Sequence, residues 1–207
     1  MSLDAALLQK FRIVFLKLRT LTNQQRFFVF NIIDQNEAIH VNRIVELSKM
    51  DQPIVSQTIA VLRKAQFVTN TQNKKFVHYH TNKNEIIKMI KMTLEYYNII
   101  WDEHSETKTA AELLTQYYNY INDFHNVLKI ILKENRLKII ELLITKKRLS
   151  VNETAEIMNQ KQPITSQNLQ ILKSIEIINN LKEGRQVVYS LNVEKWEMLK
   201  NSIERYF

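Results

Sequence analysis

Two stretches of this chain carry side chains suited to reading a surface of hydrogen-bond donors and acceptors: Gln52, Ser56, Gln57 and Ala60 in one, and Gln162, Ser166, Gln167 and Gln170 in the other. In a helix starting at Pro53 or Pro163, Val55, Ile59 and Leu62, or Ile164, Leu169 and Leu172, fall on a buried side and leave the polar and small residues opposite. A glutamine amide both donates and accepts, so it can hold an adenine edge with two bonds; serine bonds phosphate or base edges, and alanine permits close approach. Arg63, Lys64 and Lys173 lie at the far ends of these helices, with Lys74, Lys75, Lys182 and Arg185 further on. Cations in those places meet phosphates; they position a polyanion and carry no sequence information.

The two stretches share the phrase Gln-Pro-Ile-x-Ser-Gln, which contains the only two prolines, Pro53 and Pro163, at an offset of 110 positions. Sliding Arg26–Tyr79 onto Arg136–Tyr189 without a gap gives thirteen identical pairs, among them Val41/Val151, Glu46/Glu156 and Leu62/Leu172. The sequence therefore reads as one module written twice, and a doubled module can do within one chain what a homodimer does with two. The expected domains are residues 1–101 and 109–207, with the polar segment 102–108 as linker.

Hydrophobic spacing supplies the elements that must position these residues. Leu7, Phe11, Val14, Leu18 and Leu21 recur by fours and threes, as do Ala110, Leu114, Tyr117, Ile121, Phe124, Leu128 and Ile131, predicting long striped helices that want a partner. Short helices are expected over 24–34 and 135–145, then 41–49 and 151–159, then 53–66 and 163–175, where the proline suits the first turn. Segments rich in β-branched and aromatic residues follow, 67–71 with 75–81 and 177–181 with 186–191, and read as hairpins turning at Asn73-Lys74 and Glu183-Gly184. Closing helices are expected over 84–101 and 193–207. The fold class is mainly α with small β-hairpin wings: two winged helix-turn-helix domains in tandem, forming an intrachain pseudo-dimer.

The second segment resembles the ArsR-type bacterial repressors through Asn135-Arg136-Leu137-Lys138-Ile139-Ile140, Ser150-Val151-Asn152-Glu153, Gln162–Lys173 and Glu183–Tyr189. The first segment resembles them less closely. The resemblance implies a winged helix-turn-helix, a homodimer joined through first and last helices, recognition helices in successive major grooves, and repression. Where that family often carries His two residues after the serine, this chain has Thr58 and Asn168, which bears on base preference and not on fold.

A net charge of +8, with fourteen Lys and Arg against nine Asp and Glu in residues 1–105 and the remainder nearer balance, favours a polyanionic partner. The absence of cysteine removes disulfides, thiolate metal ligands and thiol nucleophiles. Asp102-x-His104 and Asp123-x-His125 have metal-pair spacing, but two ligands do not make a site, so no metal or other cofactor is expected. His78 and His80 share one face of the first hairpin, and Tyr96, Tyr97, Trp101, Tyr117, Tyr118, Tyr120 and Phe124 surround the junction as interface core. With no apolar run long enough to span a bilayer and no signal-peptide pattern, a cytoplasmic, non-membrane protein is expected. There is no phosphate loop or evident nucleophile and base, so catalysis is not expected. The reading is a sequence-specific double-stranded DNA-binding regulator, with further self-association open and any effector unspecified. A winged-helix module that holds a protein partner is the alternative.

Overall fold

The structure is a computed structural model that describes residues 4–207. Leu3, expected in the first helix, lies outside the described residues. The described chain is mainly helical with two three-stranded antiparallel sheets, and it divides into two compact units.

One unit, Val14–His125, holds the end of α1 (Ala5–Leu21), α2 (Gln24–Asp34), β1 (Ile39–His40), α3 (Val41–Ser48), α4 (Gln52–Lys64), β2 (Val68–Asn73), β3 (Phe76–Thr81), α5 (Lys83–Tyr96) and the start of α6 (Ala110–Ile131). Helix α4 packs against α2 and α3, and its C-terminal end meets β2. Val55, Ile59 and Leu62 are buried as the spacing predicts. The hairpin pairs Val68 with Thr81 through Asn73 with Phe76, and the two-residue β1 adds a third strand by pairing with β3. Lys17 is almost fully buried beneath it, with Nζ donating to Gln66 Oε1 at 2.8 Å and Glu85 Oε1 at 2.5 Å.

The other unit combines the chain up to Ile13 with Asn126–Phe207. It contains α7 (Glu134–Lys146), β4 (Arg148–Ser150), α8 (Val151–Ile157), α9 (Gln162–Ser174), β5 (Ile178–Glu183), β6 (Gln186–Leu191) and α10 (Val193–Glu204). The order of elements is that of the first unit, and the sheet order β4-β6-β5 matches β1-β3-β2. Helix α9 packs on α7, α8 and β5. Phe11, from the first half of α1, packs its ring 5.9 Å from that of Trp196 on α10. The predicted stripes of α1 and α6 are buried along their whole length.

Four details differ from the sequence expectation. Ile164 is 45% exposed, and Thr165 takes the core position. Thr165, Leu169 and Leu172 recur at i, i+4 and i+7, whereas Ile164 sits one residue, about 100°, off that stripe. The hairpin turns centre on Lys74-Lys75 and Gly184-Arg185, one residue later than expected, because Asn73 and Glu183 still pair with Phe76 and Gln186. Helix α5 stops at Tyr96: Asn98 adopts a left-handed φ of 55° while the Ile99 and Asn98 amides donate to Leu94 and Glu95 carbonyls. This Schellman closure satisfies carbonyls that a continuing helix would have used. The polar segment 102–108 is an ordered 3-10 turn (Glu103–Thr107) that Asp102 caps, with buried Ser105 hydrogen-bonded to the Tyr117 hydroxyl at 3.3 Å.

The core makes two stability predictions. Lys17→Ala leaves the part-buried Glu85 carboxylate without that counter-charge and is expected to cost roughly 2 kcal/mol. Among the described residues, buried Thr165 Oγ1 has no hydrogen-bond partner, so Thr165→Val, which supplies the residue found at position 55, is expected to add about 1 kcal/mol. Urea denaturation of the two variants checks both. A neutral Lys17→Ala or a destabilising Thr165→Val contradicts the packing described.

Candidate nucleic-acid interface

Each candidate surface is built on one helix and the hairpin after it. Pro53 and Pro163 occupy the second position of α4 and α9, where a missing N–H leaves no bond unmade. At the other end both helices close by the same reversal. Gln66 (φ 67°) and Glu176 (φ 61°) are left-handed, and the next amides, Phe67 and Ile177, donate back to Leu62 and Leu172. The chain is thereby turned from helix into strand within three residues, which sets the hairpin beside the helix end.

Burying one stripe of each helix fixes what the other face shows. Gln52, Ser56, Gln57 and Ala60 are all exposed on α4; Gln162, Gln167 and Gln170 are exposed on α9, with Ser166 half-buried. Thr58 is buried, so it lies outside the outward set, while Asn168 Nδ2 donates to the Ile164 carbonyl at 3.0 Å. Arg63 and Lys64 end α4 and, with Ala60, Val68, Thr69 and Asn70, line an open groove of about 510 Å³ between helix and hairpin. At the equivalent end of α9 stand Lys173 and Ser174.

Lys74 and Lys75 form the tip of one hairpin, with Lys74 left-handed at φ 55°; Gly184 at φ 61° and Arg185 form the other. Glu183 is engaged by Arg148 on β4, which neutralises the one carboxylate between Lys182 and Arg185. Among the described residues, none of Arg63, Lys64, Lys74, Lys75, Lys173, Lys182 and Arg185 forms a salt bridge. The positive charge beside each outward face is therefore uncompensated by local ion pairs.

The histidines fall elsewhere. His80 uses both ring nitrogens, bonding Thr71 Oγ1 and the Glu37 carbonyl at 2.8 Å each. His40, which sequence reasoning passed over, caps α3 by accepting from the Arg43 amide and faces His78 across the β1–β3 ladder. His104 lies 3.2 Å from the Asp102 carboxylate, which that residue's backbone amide holds below its ordinary pKa. His125 stacks on Phe15 with ring centroids 5.1 Å apart. No group of three or more His, Asp or Glu comes together among the described residues. The aromatic set forms ring contacts within one unit, Tyr96 on Phe124 at 4.8 Å and Trp101 on Tyr117 at 5.6 Å, with Tyr118 and Tyr120 partly exposed. Burial, with Asp123 nearby, pushes the Tyr97 phenol up.

Sequence reasoning also missed the device that starts α8. Ser150 Oγ accepts from the Glu153 amide, and the Glu153 carboxylate accepts from the Ser150 amide at 2.7 Å. The Ser-x-x-Glu spacing is the readable signal for this capping box.

Residues 133–180 match the family model described as bacterial regulatory protein, arsR family. This segment is an arsR-family helix-turn-helix domain. It takes in α7, β4, α8 and α9 with the start of β5, and so includes Gln162, Ser166, Gln167, Gln170 and Lys173 but stops before Lys182 and Arg185. Two curated relatives, each called cadmium resistance transcriptional regulatory protein CadC, from Listeria innocua and Lactococcus lactis, are 36% identical to this chain over 61 residues. That match covers 30% of this chain and 51% of each relative, so the chain spans about half the length of the curated relatives it matches. No helix among the described residues is long and apolar enough to cross a membrane.

The capping box of the arsR-family domain predicts a local pH response. The Ser150 backbone amide, and then its side chain, hold the Glu153 carboxyl below its ordinary pKa. Its support for the start of α8 is therefore complete above the ordinary carboxylate range and fades as pH falls through the lowered value. An NMR titration should place the Glu153 midpoint below that of free glutamate, and Ser150→Ala should move it partway back. A normal midpoint in the parent protein contradicts the box.

Proposed function

We propose that this chain is a sequence-specific, double-stranded DNA-binding transcription regulator, acting as a repressor, in which α4 and α9 enter successive major grooves. The observation that carries the reading is the paired outward face. Two helices of identical placement present Gln at their first and sixth residues, uncompensated cations stand at their ends, and one of them lies within an arsR-family helix-turn-helix domain. Gln52, Ser56, Gln57 and Ala60, with Gln162, Ser166, Gln167 and Gln170, face bases; Arg63, Lys64, Lys74, Lys75, Lys173, Lys182 and Arg185 hold phosphates. The hairpins β2–β3 and β5–β6 serve as wings.

The internal repeat supports a tandem duplication divided at 102–108, with the two winged helices acting as a pseudo-dimer in one chain. The operator is then an imperfect inverted repeat with half-sites about one helical turn, roughly 34 Å, apart. Cadmium, in the relatives' names, is not carried over as an effector, since this chain has no cysteine thiolates to offer a soft cation.

Two observations favour a second reading: the arsR-family match covers 133–180, in the second half, and the first hairpin exposes Phe76 and Val77. In that reading the first half has turned to a protein partner and only the second half holds DNA.

Selection of binding sites from random duplexes, followed by affinities across a salt series, tests the proposal. A two-part site and a steep loss of affinity with salt are expected. Arg185→Ala and the Lys74→Ala/Lys75→Ala pair are each expected to weaken binding and flatten the salt slope, by about one for each cation lost. Loss with Arg185→Ala alone selects the second reading, and equal affinity for a shuffled site refutes sequence specificity.

A further inference from the structure

Ile54 and Ile164 stand third in α4 and α9, and their exposures are 39% and 45%. Neither is needed for the core, because the next residues, Val55 and Thr165, are fully buried. Neither favours the helix, since a β-branched side chain loses χ1 freedom there. An isoleucine that serves neither end, at the same place in both helices and flanked by exposed Gln and Pro, calls for a partner that is apolar at one point and polar around it.

We propose that Ile54 and Ile164 determine specificity by packing on the 5-methyl group of thymine in each half-site. The inference rests on the DNA-binding reading above and names what these two residues recognise. Thymine is the one base that puts a methyl group among the hydrogen-bonding edges of the major groove, and a recognition helix contacts those edges with its N-terminal residues. The neighbours agree with that chemistry. Gln57 lies three residues beyond Ile54, and Gln167 three beyond Ile164, each on the same edge of its helix and exposed. An apolar group followed by an amide along one edge matches a thymine beside an adenine, the methyl meeting isoleucine and the adenine N6 and N7 meeting glutamine.

The test uses the full chain and the duplex recovered by selection. Each thymine is replaced in turn by deoxyuridine, which removes only the methyl group. One sensitive thymine is expected per half-site, with affinity falling about fourfold for each methyl lost. Ile54→Ser should abolish the thymine-over-uracil preference in one half-site, and Ile164→Ser in the other, while Ile54→Val and Ile164→Val keep it. Both isoleucines are outside the core, so unfolding is not the expected outcome, and a circular-dichroism melt of each variant checks it. Tight, sequence-specific binding with no uracil-sensitive position, or serine variants that keep the preference, overturns the inference and leaves the DNA-binding reading standing. Failure of the parent protein to enrich any duplex removes that reading itself.

Discussion

The rotation of two helices about their own axes governs everything else on this molecule's surface. In α4, Val55, Ile59 and Leu62 are buried to within 1% of full, and removing that much branched apolar area from water is worth several kcal/mol in aggregate. A rotation of one residue would drive Ile54 inward and Val55 out, and would turn the exposed face of Ser56, Gln57 and Ala60 with them. The same holds for Thr165, Leu169 and Leu172 in α9. The outward faces are thus consequences of the core, and no separate interaction has to aim them.

What the core does for rotation, the helix ends do for direction. A chain with a single glycine still closes four helices by the six-to-one reversal, using Gln66, Asn98, Asn159 and Glu176 in left-handed conformation. For an L-residue that conformation costs about 1–2 kcal/mol, so packing must hold each one. At Gln66 the means are visible: its side-chain oxygen accepts from buried Lys17, and its carbonyl accepts from the Asn82 side chain at 2.9 Å. The turn that sets a hairpin beside α4 is therefore tied to both α1 and the strand-to-helix joint at Asn82. Glu176, its counterpart in α9, is exposed, and by the 110-residue offset Val127 stands where the first half has Lys17. The two reversals share a backbone and differ in what secures them.

Much of this was legible in the sequence because period and offset are robust signals. The stripes of α1 and α6, the starts of α4 and α9 to within one residue of their prolines, and the hairpins to within one residue of their turns follow from spacing alone. The third strands β1 and β4 were not legible: two or three residues give no alternation to detect, and they exist because β3 and β6 offer an edge to pair with. The end of α5 was missed because 97–101 continues an apolar-rich pattern, while the decision is made by one asparagine in a left-handed cap. Ile164 was misplaced by reading hydrophobicity where phase decides, since a threonine in phase is buried ahead of an isoleucine out of phase. Of the candidate site, residue types and exposure could be read; the Arg148–Glu183 pair that alters the charge of the second hairpin could not, as it joins residues 35 apart.

In the proposed reading, the differences between the two surfaces follow a division of labour. Glutamine and serine recur at matching places on the helix faces, as does the exposed isoleucine, whereas the cations recur only in part: Arg63 and Lys75 match Lys173 and Arg185, but Lys64 matches Ser174 and Lys74 matches Gly184. Base-edge chemistry is geometrically demanding, because a bidentate amide tolerates little displacement. Phosphate attraction is long-ranged and forgiving, with a Debye length near 8 Å at physiological salt. Divergence between two such surfaces is therefore better tolerated among the cations than at the paired glutamines. Two identical chains cannot separate these roles, since one change appears in both surfaces. A single chain carrying both surfaces can lose charge on one side while keeping glutamine and serine at the same helix positions on each.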